Sequence, residues 1–438
     1  MQLPFVLLAA IATAAPAAVA QDRPVVLATT PPHLAPATAA GKTQITVRFD
    51  QDMNSTLYSV CGGGPSFPKV HGVSWRDART FAIDVELEED RVYALDLSCA
   101  TVKGFWSAAG QRLAPTPWRF ATVGPAIPSE LREEIAAKLC LLLRERYSYR
   151  DRLGIDWDDF ELRAHDRLVE CPSMAAIALV SADLLAVPQD PHISVRWLDA
   201  SLATFEREAR PDFDVQGVRA SLPGLERVGR IGLAARTDDG IGYLFVGSFS
   251  RDSRSQFELC LDALHRMLDC KGIVIDVRQN GGGDEDLARR LAAFFVDGEV
   301  AYAAHRYRDA TAEDGFGPKQ VRTLRGNVAP NAYRGSVAVL MGQQNMSSCE
   351  AFLLMMKQCP RATLVGSASQ GSSGNPKPHA LAPGLTVLLP SWQALRPDGT
   401  CFEGEGIQPT VPIEMPIAAL GNADPVLREA LAILRGPR

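Results

Sequence analysis

Two stretches of this chain hold residue types that could do chemistry. The first runs Asp276-Val-Arg-Gln-Asn280-Gly-Gly-Gly-Asp284. Its three glycines let the backbone approach a ligand without Cβ interference. The helix expected after it aims free N–H groups at the same space. Such a loop suits an oxyanion or a phosphate, but no Lys-Ser/Thr pair follows, which excludes a Walker loop. Asp284, Glu285 and Asp286 could hold Ca²⁺, yet a helix cap with dipole partners accounts for them with fewer assumptions. The second stretch is Asn345-Met-Ser347-Ser348-Cys349-Glu350, which sets a serine at the start of an apolar helix. That serine is either a nucleophile or an N-cap. Cys349, the rival nucleophile, lies inside the expected helix. No Gly-x-Ser-x-Gly surrounds Ser347, which argues against an α/β-hydrolase elbow.

The elements that must position these residues follow from periodicity. From about residue 228 strands and helices alternate. Arg230–Ala234 and Gly242–Val246 read as strands, and Ser253–Leu268 as a helix. Gly272–Val277 is a near-continuous apolar strand leading to a helix from Asp284 to Phe295, and Ser336–Leu340 leads to one from Ser347 to Lys357. Such strands are buried on both faces and need helices across them, so an α/β core follows. Both chemical stretches then sit at strand-to-helix junctions. Upstream, Ser129 is expected to cap a helix carrying Leu131, Ile135, Leu139, Leu142 and Leu143 on one face. Asp156 and Ser173 open two more, and the apolar stripes read as packing surfaces of a small helical bundle. Gly124-Pro125-Ala-Ile-Pro128 is a linker. Residues 24–123 read as all-β, with Gln44–Phe49, Thr80–Val85 and Val92–Leu97 alternating apolar and polar between Gly and Pro clusters.

Two resemblances add to this reading. Ile45-Thr-Val-Arg-Phe-Asp-Gln-Asp-Met53, Arg91-Val-Tyr-Ala-Leu95 and Trp118-Arg-Phe-Ala-Thr122 resemble a bacterial Ig-like domain. That implies an Ig-like sandwich over 24–124, acting as a spacer or as a docking module for a protein or cell-surface partner. The two junctions together resemble the S41 serine peptidases, the family of the C-terminal processing proteases and the tricorn core protease. Asp276, Arg278, Asn280, Gly282 and Gly283 match its Asp-x-Arg-x-Asn-x-Gly-Gly motif, and Ser347 with Glu350 its Ser-x-x-Glu motif. Gly366, Gly371, Ser372, Ser373 and Gly374 match a third motif, and Asp398-Gly399 with Glu403, Gly406, Ile407 and Pro409 a fourth. Asp190-Pro191-His192 matches a further one loosely. The resemblance implies a crotonase-like α/β core over 191–420 behind a helical bundle over 125–190, with a C-terminal helix over 421–438.

The resemblance also implies roles. Ser347 would be the nucleophile, His192 the general base and Glu403 the acid that orients the imidazolium, directly or through a hydroxyl. Backbone N–H groups of Ser348 and of Gly281 or Gly282 would form the oxyanion hole. Where processing proteases carry a Lys base this chain has Ser372, and Lys377 is only a weak substitute, so the tricorn-like branch fits better. Glu405 is the alternative acid, Ser194 the alternative hydroxyl, and His379 and His305 are rivals of His192. The stretch between His192 and the Gly242 strand is too short for a PDZ module, so capture of substrate C-termini is not expected.

Composition sets the outer bounds. In 438 residues, 46% are apolar and Lys+Arg 45 face Asp+Glu 51, a formal charge of -6. Disorder and a strongly basic nucleic-acid binder are both excluded by that balance. Met1–Ala20 carry no charged side chain, and the apolar run from Pro4 ends at Ala18-Val19-Ala20. A signal peptide cleaved after Ala20 is expected, with a periplasmic or secreted product. No later stretch is apolar for long enough to span a membrane. Export permits disulfides, and Cys61 with Cys99 and Cys140 with Cys171 are candidate pairs. Neither Cys-x-x-Cys nor His-Glu-x-x-His occurs, so no metal is expected, nor any cofactor. The expected function is an exported serine peptidase acting on peptides or unfolded protein. The alternatives are a non-catalytic ligand- or peptide-binding protein on the same fold, and an adaptor working through the Ig-like domain.

Overall fold

A computed structural model describes residues 22–98, 104–416 and 420–436. The expected signal segment 1–20 and Cys99 lie outside the described residues. The chain divides into two compact units, Met1–Pro125 and Ala126–Arg438.

In the smaller unit, strands Val26–Thr30, Gly41–Phe49, Thr80–Leu87 and Lys69–Asp77 form one sheet in that order. Ala35–Thr38, Thr116–Thr122, Val92–Leu97 and Val60–Cys61 form a second. Alternation decides which side chains go inward: Ile45, Val47 and Phe49 from one sheet and Leu95, Trp118 and Phe120 from the other share a single core. Trp118 is fully buried and its indole N–H donates to Pro31 O at 2.9 Å, so burial leaves no unmet donor there. Cys61 is disulfide-bonded.

The larger unit is organised by a seven-stranded sheet. Its order is Glu226–Val228, Gly232–Arg236, Ile241–Val246, Gly272–Asp276, Ser336–Met341, Ala362–Gly366 and Val411–Pro412. From Ile241–Val246 onward neighbouring strands are parallel. Successive residues point to opposite faces, and both faces are covered. Ile273, Ile275, Val337 and Val339 pack under helices Arg254–His265, Glu285–Ala292 and Ser348–Lys357. Val274, Ala338 and Leu340 face helices Val215–Ser221 and Pro425–Arg435. A double-sided core is what the unbroken apolar strands require.

Around this sheet lie helices Ser129–Arg146, Trp157–Val169 and Met174–Leu184. A four-stranded sheet orders Ala200–Ala203, Ser194–Trp197, Leu385–Leu389 and Lys377–Ala382, and a three-stranded one orders Gln320–Arg325, Glu299–Tyr307 and Trp392–Leu395. Among the described residues no helix is long and apolar enough to cross a membrane.

Several local expectations are corrected. Ser129 is the first residue of its helix, not the cap; Pro128 holds the cap position and no side chain bonds there. Asp156 and Ser173 do cap, accepting from Asp159 N and Ala176 N. The strand expected from Arg230 begins at Gly232, because Val228 pairs with Gly232 and Gly229 turns the chain at φ 61°. Cys140 and Cys171 are both free. Each thiol instead points at a backbone carbonyl of the second helix region, Cys140 toward Glu161 O and Cys171 toward Arg167 O.

Candidate active site

Asp276 and Leu340 are register partners near the carboxyl ends of adjacent parallel strands. The two loops that follow therefore emerge side by side, the usual place for a site in such a sheet. Asn345, fully buried, joins them: its amide donates to Asn280 O at 3.2 Å, and its oxygen accepts from Gly342 N at 2.8 Å. In the first loop Gly282 takes φ 94°, and a Cβ there would lie 2.6 Å from Met346 O and 3.0 Å from Ser348 N. Only glycine permits that approach. Asp284 caps the following helix by accepting from Asp286 N and also pairs with Arg251. Among the described residues no group of His, Cys, Asp and Glu could hold a metal ion.

Ser347 precedes helix Ser348–Lys357 in the cap position, yet its side chain makes no cap bond. Its backbone is at φ 57°, ψ -127°, a conformation that L-residues rarely adopt. Three hydrogen bonds clamp it there: Ser347 N donates to Ser372 O at 2.7 Å, and Ser347 O accepts from Glu350 N at 2.9 Å and from Ala351 N at 3.2 Å. No protein acceptor takes the N–H of Ser348 or of Gly281 among the described residues. The Gly282 N–H, by contrast, already donates to Asn280 Oδ1 at 2.9 Å. Cys349 is fully buried in the helix.

His192 comes from the turn before strand Ser194–Trp197. Its backbone N–H donates to Asp190 Oδ1 at 2.9 Å, and Tyr147 OH holds the other Asp190 oxygen at 3.1 Å. The imidazole Nδ1 lies 2.7 Å from Ser372 Oγ. Burial pushes the His192 pKa down, opposed by Asp190 and reinforced by Arg207, so the ring is neutral near pH 7. Arg207 also donates to the carbonyls of Gln370 and Gly371 just before Ser372.

Glu403 is buried beside this cluster. Its Oε2 accepts from Ser373 N at 2.8 Å, and its Oε1 has no partner. Burial and the neighbouring Asp190 carboxylate hold its pKa well above the usual range, against the Ser373 N–H. Glu403 thus reaches the loop that carries Ser372 and makes no hydrogen bond to the imidazole itself. The other candidates lie elsewhere. Glu405 is exposed and paired with Arg396 at 3.0 Å. Ser194 is taken up in strand pairing. Lys377 and His379 lie on an edge strand and bond to none of the other candidates. His305 stacks on Trp392, with ring centroids 4.3 Å apart.

Ser372 and Glu350 stand in the quoted motifs, but the contacts they make here are not given by those motifs. Glu350 takes Ser369 Oγ–H at 2.6 Å, Gly371 N–H at 2.7 Å and Ser372 N–H at 3.1 Å. The available signal was a serine standing where a lysine base was sought. Burial raises the Glu350 pKa to about 7, with these donors opposing. Between the ordinary value near 4.5 and about 7 the native state keeps a proton that the unfolded chain has lost. Stability from this group is therefore complete below that window and is lost as pH rises through about 7. The wild-type melting temperature is expected to fall more steeply across the window than that of Glu350→Gln; equal slopes would remove Glu350 as the titrating group.

The decisive comparison concerns the segment that carries both junctions. Residues 240–413 match the model of Peptidase family S41. His192 lies outside the matched segment, and Ser347, Ser372 and Glu403 lie within it. The chain is 24% identical over 177 residues to a probable CtpA-like serine protease of Staphylococcus epidermidis, covering 40% of this chain and 34% of that protein. A Staphylococcus aureus protein of the same description matches to the same extent. The chain thus spans about a third of the length of these curated relatives. Among solved structures, one of a putative peptidase from Parabacteroides merdae aligns with TM-score 0.61 and 22% identity, covering 70% of this chain and 97% of that one. Mature CPAF aligns with TM-score 0.54 and 14% identity, covering 70% and 97%. These two structures share an α/β fold with this chain over the aligned 70% of its length.

Proposed function

We propose that this protein is a serine peptidase that hydrolyses peptide bonds through an acyl-enzyme, with Ser347 as nucleophile, His192 as general base and Glu403 as the supporting acid. The observation that carries the reading is Ser347 itself. A cap serine should bond its own helix; this one does not, and its backbone is held in a strained conformation at the junction whose Ser348 N–H has no acceptor among the described residues. The Ser347 oxygen attacks the substrate carbonyl carbon while His192 takes its proton. The Ser348 and Gly281 N–H groups stabilise the resulting oxyanion. Collapse breaks the C–N bond, His192 returns the proton to the leaving amine, and water releases the acyl group by the same route reversed. Glu403 contributes a buried carboxyl fixed to Ser373 N, one residue from the hydroxyl that meets the imidazole.

The finer reading is tricorn-like with no PDZ module, on a crotonase-like core. It is supported by Ser372 in place of a lysine. The residues between His192 and Ile241 also add only short strands and one short helix to the larger unit. Substrates are peptides or unfolded protein. The two-sheet smaller unit, with its single shared core, supports an Ig-like module that spaces or docks the enzyme. The Cys61 disulfide supports export to the periplasm or beyond.

The test is covalent labelling with a biotinylated fluorophosphonate followed by peptide mapping. A single label on Ser347, absent from Ser347→Ala, is expected. Equal labelling of wild type and variant would overturn the assignment.

A further inference from the structure

Ser372 sits where three parts of the site meet. It is fully buried. Its N–H donates to Glu350, its carbonyl accepts the Ser347 N–H, and its Oγ meets His192 Nδ1. One residue is thus held by the glutamate in the nucleophile's helix, holds the nucleophile's backbone, and touches the base. Its backbone has little room to move. Gly371 before it takes φ 69°, and a Cβ there would lie 2.5 Å from Gly406 N.

An imidazole accepts a proton only through a nitrogen with a free lone pair. With Nδ1 occupied by Ser372, that nitrogen is Nε2, and Nε2 is free only if Nδ1 carries the hydrogen. We infer that Ser372 is the positioning residue of His192: its hydroxyl oxygen accepts the Nδ1–H and fixes the tautomer whose Nε2 can take a proton. The hydroxyl's own hydrogen then turns to a carboxyl oxygen. Glu403 offers one, since its Oε2 takes the N–H of the next residue and its Oε1 is buried without a partner. The consequence for catalysis rests on the serine-peptidase reading; the tautomer itself does not.

Two measurements on the full chain test this. ¹⁵N spectra of histidine-labelled protein, with His192 assigned by its loss in His192→Gln, are expected to show Nδ1 protonated and Nε2 bare. An Nε2–H tautomer would overturn the inference. In Ser372→Ala, the rate of fluorophosphonate labelling at Ser347 is expected to fall by about tenfold to a hundredfold, part of the general-base contribution, and the Nδ1–H signature to be lost. A variant that folds and is labelled at the wild-type rate would equally overturn it. Should Ser372→Ala fail to fold, the wild-type tautomer decides alone. If the wild type takes no label at Ser347, the peptidase reading fails, while the tautomer still settles the role of Ser372.

Discussion

Ser347→Ala is expected to lower peptide turnover by on the order of 10³-fold or more, and Ser347→Gly to do the same while melting higher than the wild type. The two effects share one cause. At φ 57°, ψ -127° a residue with a Cβ is strained, a cost of about 1–3 kcal/mol. Glycine carries no such strain, though it loses roughly 0.5–1 kcal/mol through greater freedom in the unfolded chain. The net gain is about 1 kcal/mol, or about 1–2 °C for a unit of this size. Alanine keeps the strain and loses only the hydroxyl, so its melting temperature should stay near the wild-type value. Hydrolysis of an unfolded protein substrate and calorimetry on the three chains check the pair. Full turnover in the alanine variant would end the assignment of the nucleophile. A glycine variant that melts lower would show that the backbone at 347 is not strained.

The largest effect on stability is expected from Arg278→Met. Arg278, Asp276 and Asp424 have no exposed side-chain surface. The guanidinium bonds Asp276 at 3.0 and 2.7 Å and Asp424 at 3.0 and 2.6 Å, and donates to Asp212 O at 2.9 Å. Tyr243 OH adds a bond to Asp276 at 2.8 Å. Methionine fills a similar volume but leaves two carboxylates buried without a cation. Breaking a buried pair in this way costs about 3–5 kcal/mol. Adding Asp276→Asn and Asp424→Asn to the same chain should restore much of the loss, because the uncompensated charge disappears with it. Urea unfolding of the single and triple variants provides the measure. A single-variant loss below about 1 kcal/mol would mean that the charges are reached by water.

Much of this was legible in the sequence, for identifiable reasons. Unbroken apolar strands such as 272–276 advertise burial on both faces, and the glycines after them mark a close backbone approach that Gly282 makes on Met346 and Ser348. Asp156 and Ser173 were readable as caps because capping is local in sequence. What escaped depends on contacts between distant segments. Ser372 meets His192 across 180 positions, and Glu350 grips the 369–372 loop through groups whose convergence no periodicity encodes. Gly281 and Gly282 are equal candidates for oxyanion donor in the sequence, and only the structure shows the Gly282 N–H already held by the Asn280 side chain two residues away. The Cys140–Cys171 pairing failed because membership of one helical region does not aim two thiols at each other.

The Arg278–Asp424 bond also imposes an order in time. Asp424 caps helix Pro425–Arg435 by accepting from Leu427 N, and the same carboxylate completes the counter-charge of the arginine beside the glycine loop. The two residues are 146 positions apart. At ribosomal speeds of about 5–20 residues per second, Asp424 is made roughly 7 to 30 seconds after Arg278. Through that interval a growing chain holds the cation with only one of its two carboxylates. Until then the arginine beside the 280–283 loop lacks half of the counter-charge it holds in the folded protein.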